Sequence, residues 1–124
     1  MAKRLGRSKM KKIFIICKVR NADAEYKKRL EDFVKDLEEN GYKVHLPHKD
    51  TNQEAKGLDI CLQNKQAIQD ADEIAVFYSS DSQGIHFDLG MAFALNKHLV
   101  IVENELFDEN KSFSRMIWEW SKEQ

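Results

Sequence analysis

Short β-branched runs alternate with amphipathic stretches in four rounds along this chain, and that alternation limits its fold more than any other feature. Ile13–Cys17 is a β-branched and aromatic run, which favours a strand. From Ala22 to Asn40 the apolar residues Tyr26, Leu30, Phe33, Val34 and Leu37 recur at helical spacing, and Asn40-Gly41 supplies a left-handed stop. Tyr42–Leu46 reads as a second strand and Pro47–Lys56 as a polar loop. A helix is predicted over Gly57–Asp70, with Ile60, Cys61, Asn64, Ala67 and Ile68 on one side. Glu73–Tyr78 is a third strand and Ser79–Gln83 a polar loop. Gly84–Lys97 is a helix with Phe87, Met91, Ala94 and Leu95 towards the core. His98–Glu103 is a fourth strand, and Phe113, Met116, Ile117 and Trp120 mark a closing helix. Strands alternating with helices imply a parallel sheet covered on both faces, with ligands taken beyond the carboxyl ends of the strands. The loops to watch are therefore Lys18–Asp23, Pro47–Lys56, Ser79–Gly84 and Asn104–Asn110.

The length of 124 residues suits one domain, here 12–124, behind a basic arm at 1–11. Residues 1–12 carry six basic side chains and no acid, which leaves 14 basic and 21 acidic residues in the rest of the chain. The overall charge of −1 argues against a nucleic-acid coat, so no nucleic-acid partner is expected. The arm itself reads as a frayed terminus or as a polyanion contact. No apolar run approaches the roughly 20 residues of a membrane span, and no export signal opens the chain. With two cysteines, the expected setting is the cytoplasm with reduced thiols.

Asp88 is the informative polar residue. It shares a helix face with Met91 and Leu95, where a carboxylate is costly unless it is paired. It lies one turn into its helix, pointing towards the crevice, either as a dipole-stabilising acid or as a functional group. Asn64, between Ile60 and Ile68, is a satisfied core amide or a reader of a ligand edge. The loop from Ser79 to Gly84 offers hydroxyls, a glycine and a helix N-terminus, which suit a phosphate or sugar. Arg20, just after the first strand, is an anion clamp or a solvated side chain. His45 and His48 do not share a metal-binding face, so no metal site is expected. Neither a Walker loop nor a GxGxxG fingerprint is present.

Ala71-Asp72-Glu73-Ile74-Ala75-Val76-Phe77, then Gly84-Ile85-His86-Phe87-Asp88-Leu89-Gly90-Met91-Ala92 and Asn96-Lys97, resemble the signature of the nucleoside 2-deoxyribosyltransferase family. That family includes deoxynucleotide N-glycosidases, and the order of elements agrees over roughly residues 12–104. The resemblance implies a flavodoxin-like three-layer α/β sandwich with a parallel sheet of four to five strands. It implies N-glycosidic cleavage or deoxyribosyl transfer on a small nucleoside or nucleotide, no cofactor, no membrane and a homo-oligomer. The carboxylate at the sugar's anomeric carbon would be Asp88, where the family has glutamate. Arg20, Asn64, Ser82, Gly84 and His86 would bind substrate, and Asp72 would brace its strand. Asn64 falls near a family aspartate that contacts the base. The basic Cys17-Lys18-Val19-Arg20 loop departs from the family's small residues and aromatic, and favours nucleotides over nucleosides. Three other readings stay open: a non-catalytic nucleotide-binding module, a TIR-like NAD-cleaving domain, and an interaction domain built around Trp118.

Overall fold

β-branched side chains lose rotamer freedom in a helix and pack well on a pleated surface, so the Ile/Val/Phe runs of this chain form its strands. A computed structural model describes residues 10–104 and 112–124. Its elements are β1 (Lys12–Ile16), α1 (Ala24–Glu39), β2 (Lys43–His45), α2 (Pro47–Asp50), α3 (Gly57–Asp70), β3 (Glu73–Tyr78), α4 (Gln83–Ala94), β4 (Leu99–Asn104) and α5 (Phe113–Glu123). Most of the basic arm expected at 1–11, and most of the stretch expected to be a loop over Asn104–Asn110, lie outside the described residues.

The sheet has four parallel strands in the order β2-β1-β3-β4. A parallel sheet of four strands agrees with the flavodoxin-like α/β fold that the family resemblance implies. Phe14 of β1 is in register with His45 of β2 on one side and Ile74 of β3 on the other. The β3–β4 ladder slips between Val76 and Phe77, which brings Tyr78 opposite Asn104. Asp72 braces the start of the neighbouring strand β1 rather than its own: its carboxylate accepts from the Lys12 backbone N–H at 2.7 Å.

Side chains of successive strand residues point to opposite faces, so each central strand feeds two cores. Ile13, Ile15, Cys17, Ala75 and Phe77 pack under α1 against Tyr26, Leu30 and Val34. Phe14, Ile16, Ile74, Val76 and Tyr78 face the other layer, against Ile68 of α3, Ile85 and Leu89 of α4 and Ile117 of α5. Truncating a fully buried ring such as Phe14 or Phe77 to alanine in such a core costs about 3–5 kcal/mol. Helix α1 starts at Asp23, whose carboxylate accepts from Tyr26 N at 2.8 Å, and it ends before Gly41 at φ +90°.

Two details depart from the sequence reading. The stretch read as a loop from Pro47 opens with the one-turn helix α2, for which Pro47 is pre-set at the first position. Phe87 and Ala94 of α4 face out rather than in, and Phe87 is 56% exposed. Helix α4 carries apolar residues around its whole circumference, so its sequence shows no clear inner stripe. The buried set is Ile85, Asp88, Leu89 and Ala92.

Candidate active site

In this strand order the connections leave β1 and β3 in opposite directions, which opens a crevice at their carboxyl ends. A cleft of about 710 Å³ occupies that position. Its walls come from the end of β1, the start of α2, the inner face of α3 and the first turn of α4.

Asp88 lies in this cleft with only 8% of its surface exposed. It is held there because its helix stripe is anchored by Ile85 and Leu89 in the core. Burial pushes its carboxyl up to about 7, opposed in part by a hydrogen bond from the Asn64 side chain that favours the ionised form. Asn64 is itself buried, and its Oδ1 accepts from the Thr51 hydroxyl at 2.7 Å. The Asn64 oxygen is thus committed to Thr51, which leaves its N–H groups for the cleft that Asp88 also lines. Beside them the Cys17 thiol is pushed up to about 12 by burial, with the Asp88 charge adding to it.

The cleft rim is polar and basic. Lys18 and Arg20 both line it. The Lys18 backbone is pinned on two sides: its N–H donates to the Tyr26 phenol oxygen at 3.0 Å, and its carbonyl accepts from His48 Nε2 at 2.9 Å. Its ammonium stands 3.8 Å from the Asp81 carboxylate and 5.5 Å from the Tyr26 ring centre. The Ser79 hydroxyl and then the Lys18 charge hold the Asp81 carboxyl below its ordinary range. Ser82 caps α4, its Oγ accepting from Ile85 N at 3.2 Å, with Gly84 in the turn above it.

Five of the six sequence-predicted site residues therefore meet in one cleft: Asp88, Asn64, Arg20, Ser82 and Gly84. His86 is turned elsewhere. Its Nδ1 donates to the Ser82 carbonyl at 2.7 Å, its Nε2 is 2.9 Å from the Tyr78 hydroxyl, and it is not among the cleft-lining residues. Sequence reasoning passed over Thr51, Asp81 and the particular placement of Lys18. Thr51 sits in a polar loop whose burial nothing in the local pattern signals. Among the described residues no group of three or more His, Cys, Asp or Glu side chains is placed to hold a metal ion. Nor, among them, is any helix long and apolar enough to cross a membrane.

Comparison with known proteins identifies the family. The nucleoside 2-deoxyribosyltransferase family model matches residues 17–116. The chain belongs to that family. Among solved structures, the CMP N-glycosidase BcmB of Clostridium botulinum is similar at TM-score 0.66 and 25% identity, over 90% of this chain and 83% of that one. A 2-deoxyribosyltransferase from Leishmania mexicana shares the fold at TM-score 0.61 and 19% identity, over 77% of this chain and 65% of that one. No curated protein sequence matches the chain. Family membership makes the chain an enzyme, and its general chemistry N-glycosidic bond cleavage or deoxyribosyl transfer.

Proposed function

We propose that the cleft hydrolyses the N-glycosidic bond of a nucleoside 5′-monophosphate, with Asp88 as the carboxylate at the anomeric carbon. The observation that carries this reading is the pairing of a buried carboxylate on the floor with two cations, Lys18 and Arg20, on the rim of one cleft. A 5′-phosphate suits the rim, where the cations and the first turn of α4 are close together. The sugar then lies over the floor. As the bond from C1′ to the base nitrogen breaks, its electron pair leaves with the base, and positive charge develops on the sugar. The ionised Asp88, itself buried on the cleft floor, faces that charge. Water then supplies hydroxide to C1′ and a proton to the departing base, giving free base and sugar phosphate. Aspartate is shorter than glutamate by one methylene, roughly 1.5 Å of reach, so charge stabilisation fits better here than a covalent sugar–enzyme bond. The similarity to a CMP N-glycosidase supports a nucleotide substrate. Assembly into a homo-oligomer belongs to the same proposal, and the exposed Leu58 and Leu62 on α3 and Phe87 at the cleft support it; light scattering of the purified protein reads it directly.

The test is chromatographic detection of free base from nucleoside 5′-monophosphates, the parent nucleosides and NAD, with native protein and Asp88→Asn. Release from a monophosphate, lost by at least about 10³-fold in the variant, is the expected result. No release from any monophosphate would sink the reading, and release from NAD alone would transfer it to NAD cleavage. Release that survives Asp88→Asn would remove Asp88 from the mechanism.

A further inference from the structure

The hydrogen bonds on the cleft floor do not stop at Thr51. His45 Nε2 lies 2.7 Å from the Thr51 hydroxyl oxygen. The Thr51 proton is committed to Asn64 Oδ1, so that oxygen accepts, and Nε2 carries a hydrogen. The chain then runs in one direction, His45 Nε2–H to Thr51 and Thr51 O–H to Asn64 Oδ1, which leaves the Asn64 N–H groups for the cleft that Asp88 also lines, where Asn64 favours the ionised carboxylate. Each middle member can also work the other way round. A flipped Asn64 amide would donate to Thr51, Thr51 would donate to a bare His45 Nε2, and Asn64 Oδ1 would face Asp88. That reversed chain tolerates only a protonated Asp88, because two acceptors would otherwise meet in a buried site. The direction of the chain and the charge on Asp88 are therefore one choice.

We propose that His45 and Thr51 are positioning residues that fix the donor direction of this chain and so keep the Asp88 carboxyl available in its ionised form. The surroundings fit the role. Thr51 is 4% exposed, so no water competes freely for its hydroxyl. The His45 ring stacks on Phe14, centres 5.1 Å apart and planes 18° apart, which fixes where Nε2 points. Burial lowers the His45 pKa from its ordinary value, and the Asp50 carboxylate opposes that. His45 also lines a second cavity of about 260 Å³, shared with Asp50, Asp70, Lys12 and Lys43. At the other end the titratable neighbour of Asp88 is the Cys17 thiol. The chain thus links Asn64 in the active-site cleft to a histidine that lines a different cavity.

The proposal rests on the reading of Asp88 as the reacting carboxylate, and its test separates the two. The Asp88 titration is followed by carboxyl-carbon NMR in native protein, Thr51→Val, Thr51→Ser and His45→Phe, with the pH profile of base release measured alongside. Valine keeps the shape of threonine and deletes the hydroxyl. We expect its Asp88 midpoint to rise by about one pH unit, a tenfold change in ionisation constant. Serine restores the native midpoint, and His45→Phe moves it up by less than valine does. The acidic limb of base release follows the same order. A merely structural Thr51 would lower yield or stability without moving either midpoint. An unmoved Asp88 midpoint in folded Thr51→Val overturns the proposal, as does an unrestored midpoint in Thr51→Ser. If the midpoint moves while native protein releases no base, the positioning chain stands and the glycosidase reading falls.

Discussion

Asp88 and Asp81 line the same cleft, seven residues apart, and their carboxyls are driven in opposite directions. Asp88 sits on the floor, buried among core residues, and its carboxyl rises to about 7. Asp81 sits on the rim with its side chain 71% exposed, and the Ser79 hydroxyl and the Lys18 ammonium hold its carboxyl down. Identical chemical groups thus acquire different jobs from their surroundings, burial for one and a hydroxyl and a cation for the other. The floor acid is poised to change charge near neutrality, whereas the rim acid stays charged and tethers a cation. Divergent carboxyl environments of this kind are how a site separates a reacting group from a structural one.

The largest consequence is for stability. Asp88 has a folded-state pKa raised above its unfolded value of 3.8. Below pH 3.8 both states are protonated there, and no penalty applies. As pH climbs from 3.8 towards 7, the unfolded chain loses its proton first and folding becomes less favourable; above 7 the cost is constant. For a shift of that size it approaches about 4 kcal/mol. Asp88→Asn should therefore outlast native protein in urea at pH 8 and lose that advantage at pH 4. Asp81 has the opposite sign: its depressed pKa contributes stability above its unfolded value, lost as pH falls through the folded one. Asp81→Asn should not gain stability at pH 8. Equal responses of the two variants to pH would erase the contrast.

Next in size is the pH profile. If the ionised Asp88 faces the developing sugar cation, kcat/KM for base release should rise about tenfold per pH unit below 7 and level off above it. Asp81→Asn should keep that same limb. A limb near pH 4, the ordinary range of an exposed acid, would mean that Asp88 is not the titrating group.

Much of this contrast was legible before any coordinates. A parallel sheet between helices follows from four β-branched runs separated by helical stripes, and the rule that ligands bind beyond the carboxyl ends of the strands then points to the crevice that gathers Arg20, Ser82, Gly84 and Asp88. Asp88 stood out because a carboxylate on an apolar stripe needs a reason. Asn64 stood out in the same way. Thr51 and His45 did not, because their partnership joins a loop to a strand across the fold, and no periodicity encodes such a contact. Phe87 misled for a different cause. On a helix that is apolar all round, the phase is set by the sheet and neighbouring helices, which a local pattern cannot register. His86 lay inside the family-like signature but turns to Tyr78 and Ser82, since residues two apart on a helix face different directions.

A smaller effect distinguishes the two rim cations from the rim acid. A charge-assisted hydrogen bond to phosphate is worth about 1.5–3 kcal/mol, which corresponds to roughly tenfold or more in binding. Arg20 is exposed, so its contribution should fall at the low end, about tenfold in KM for a monophosphate. Lys18 is half-buried and pinned at both its backbone N–H and its carbonyl, which fixes the origin of its ammonium and lowers the ordering cost of meeting a phosphate. Lys18→Met should therefore raise KM for the monophosphate more than Arg20→Met does, and neither should alter kcat/KM for the parent nucleoside. Asp81→Asn should act in the reverse sense. Removing the carboxylate 3.8 Å from the Lys18 ammonium frees that cation for the ligand and lowers the monophosphate KM, by less than about threefold for an exposed pair. Steady-state kinetics on the matched pair of substrates reads all three variants. If the nucleoside and its monophosphate respond alike, the rim does not hold the phosphate, and the division of labour between floor and rim is lost.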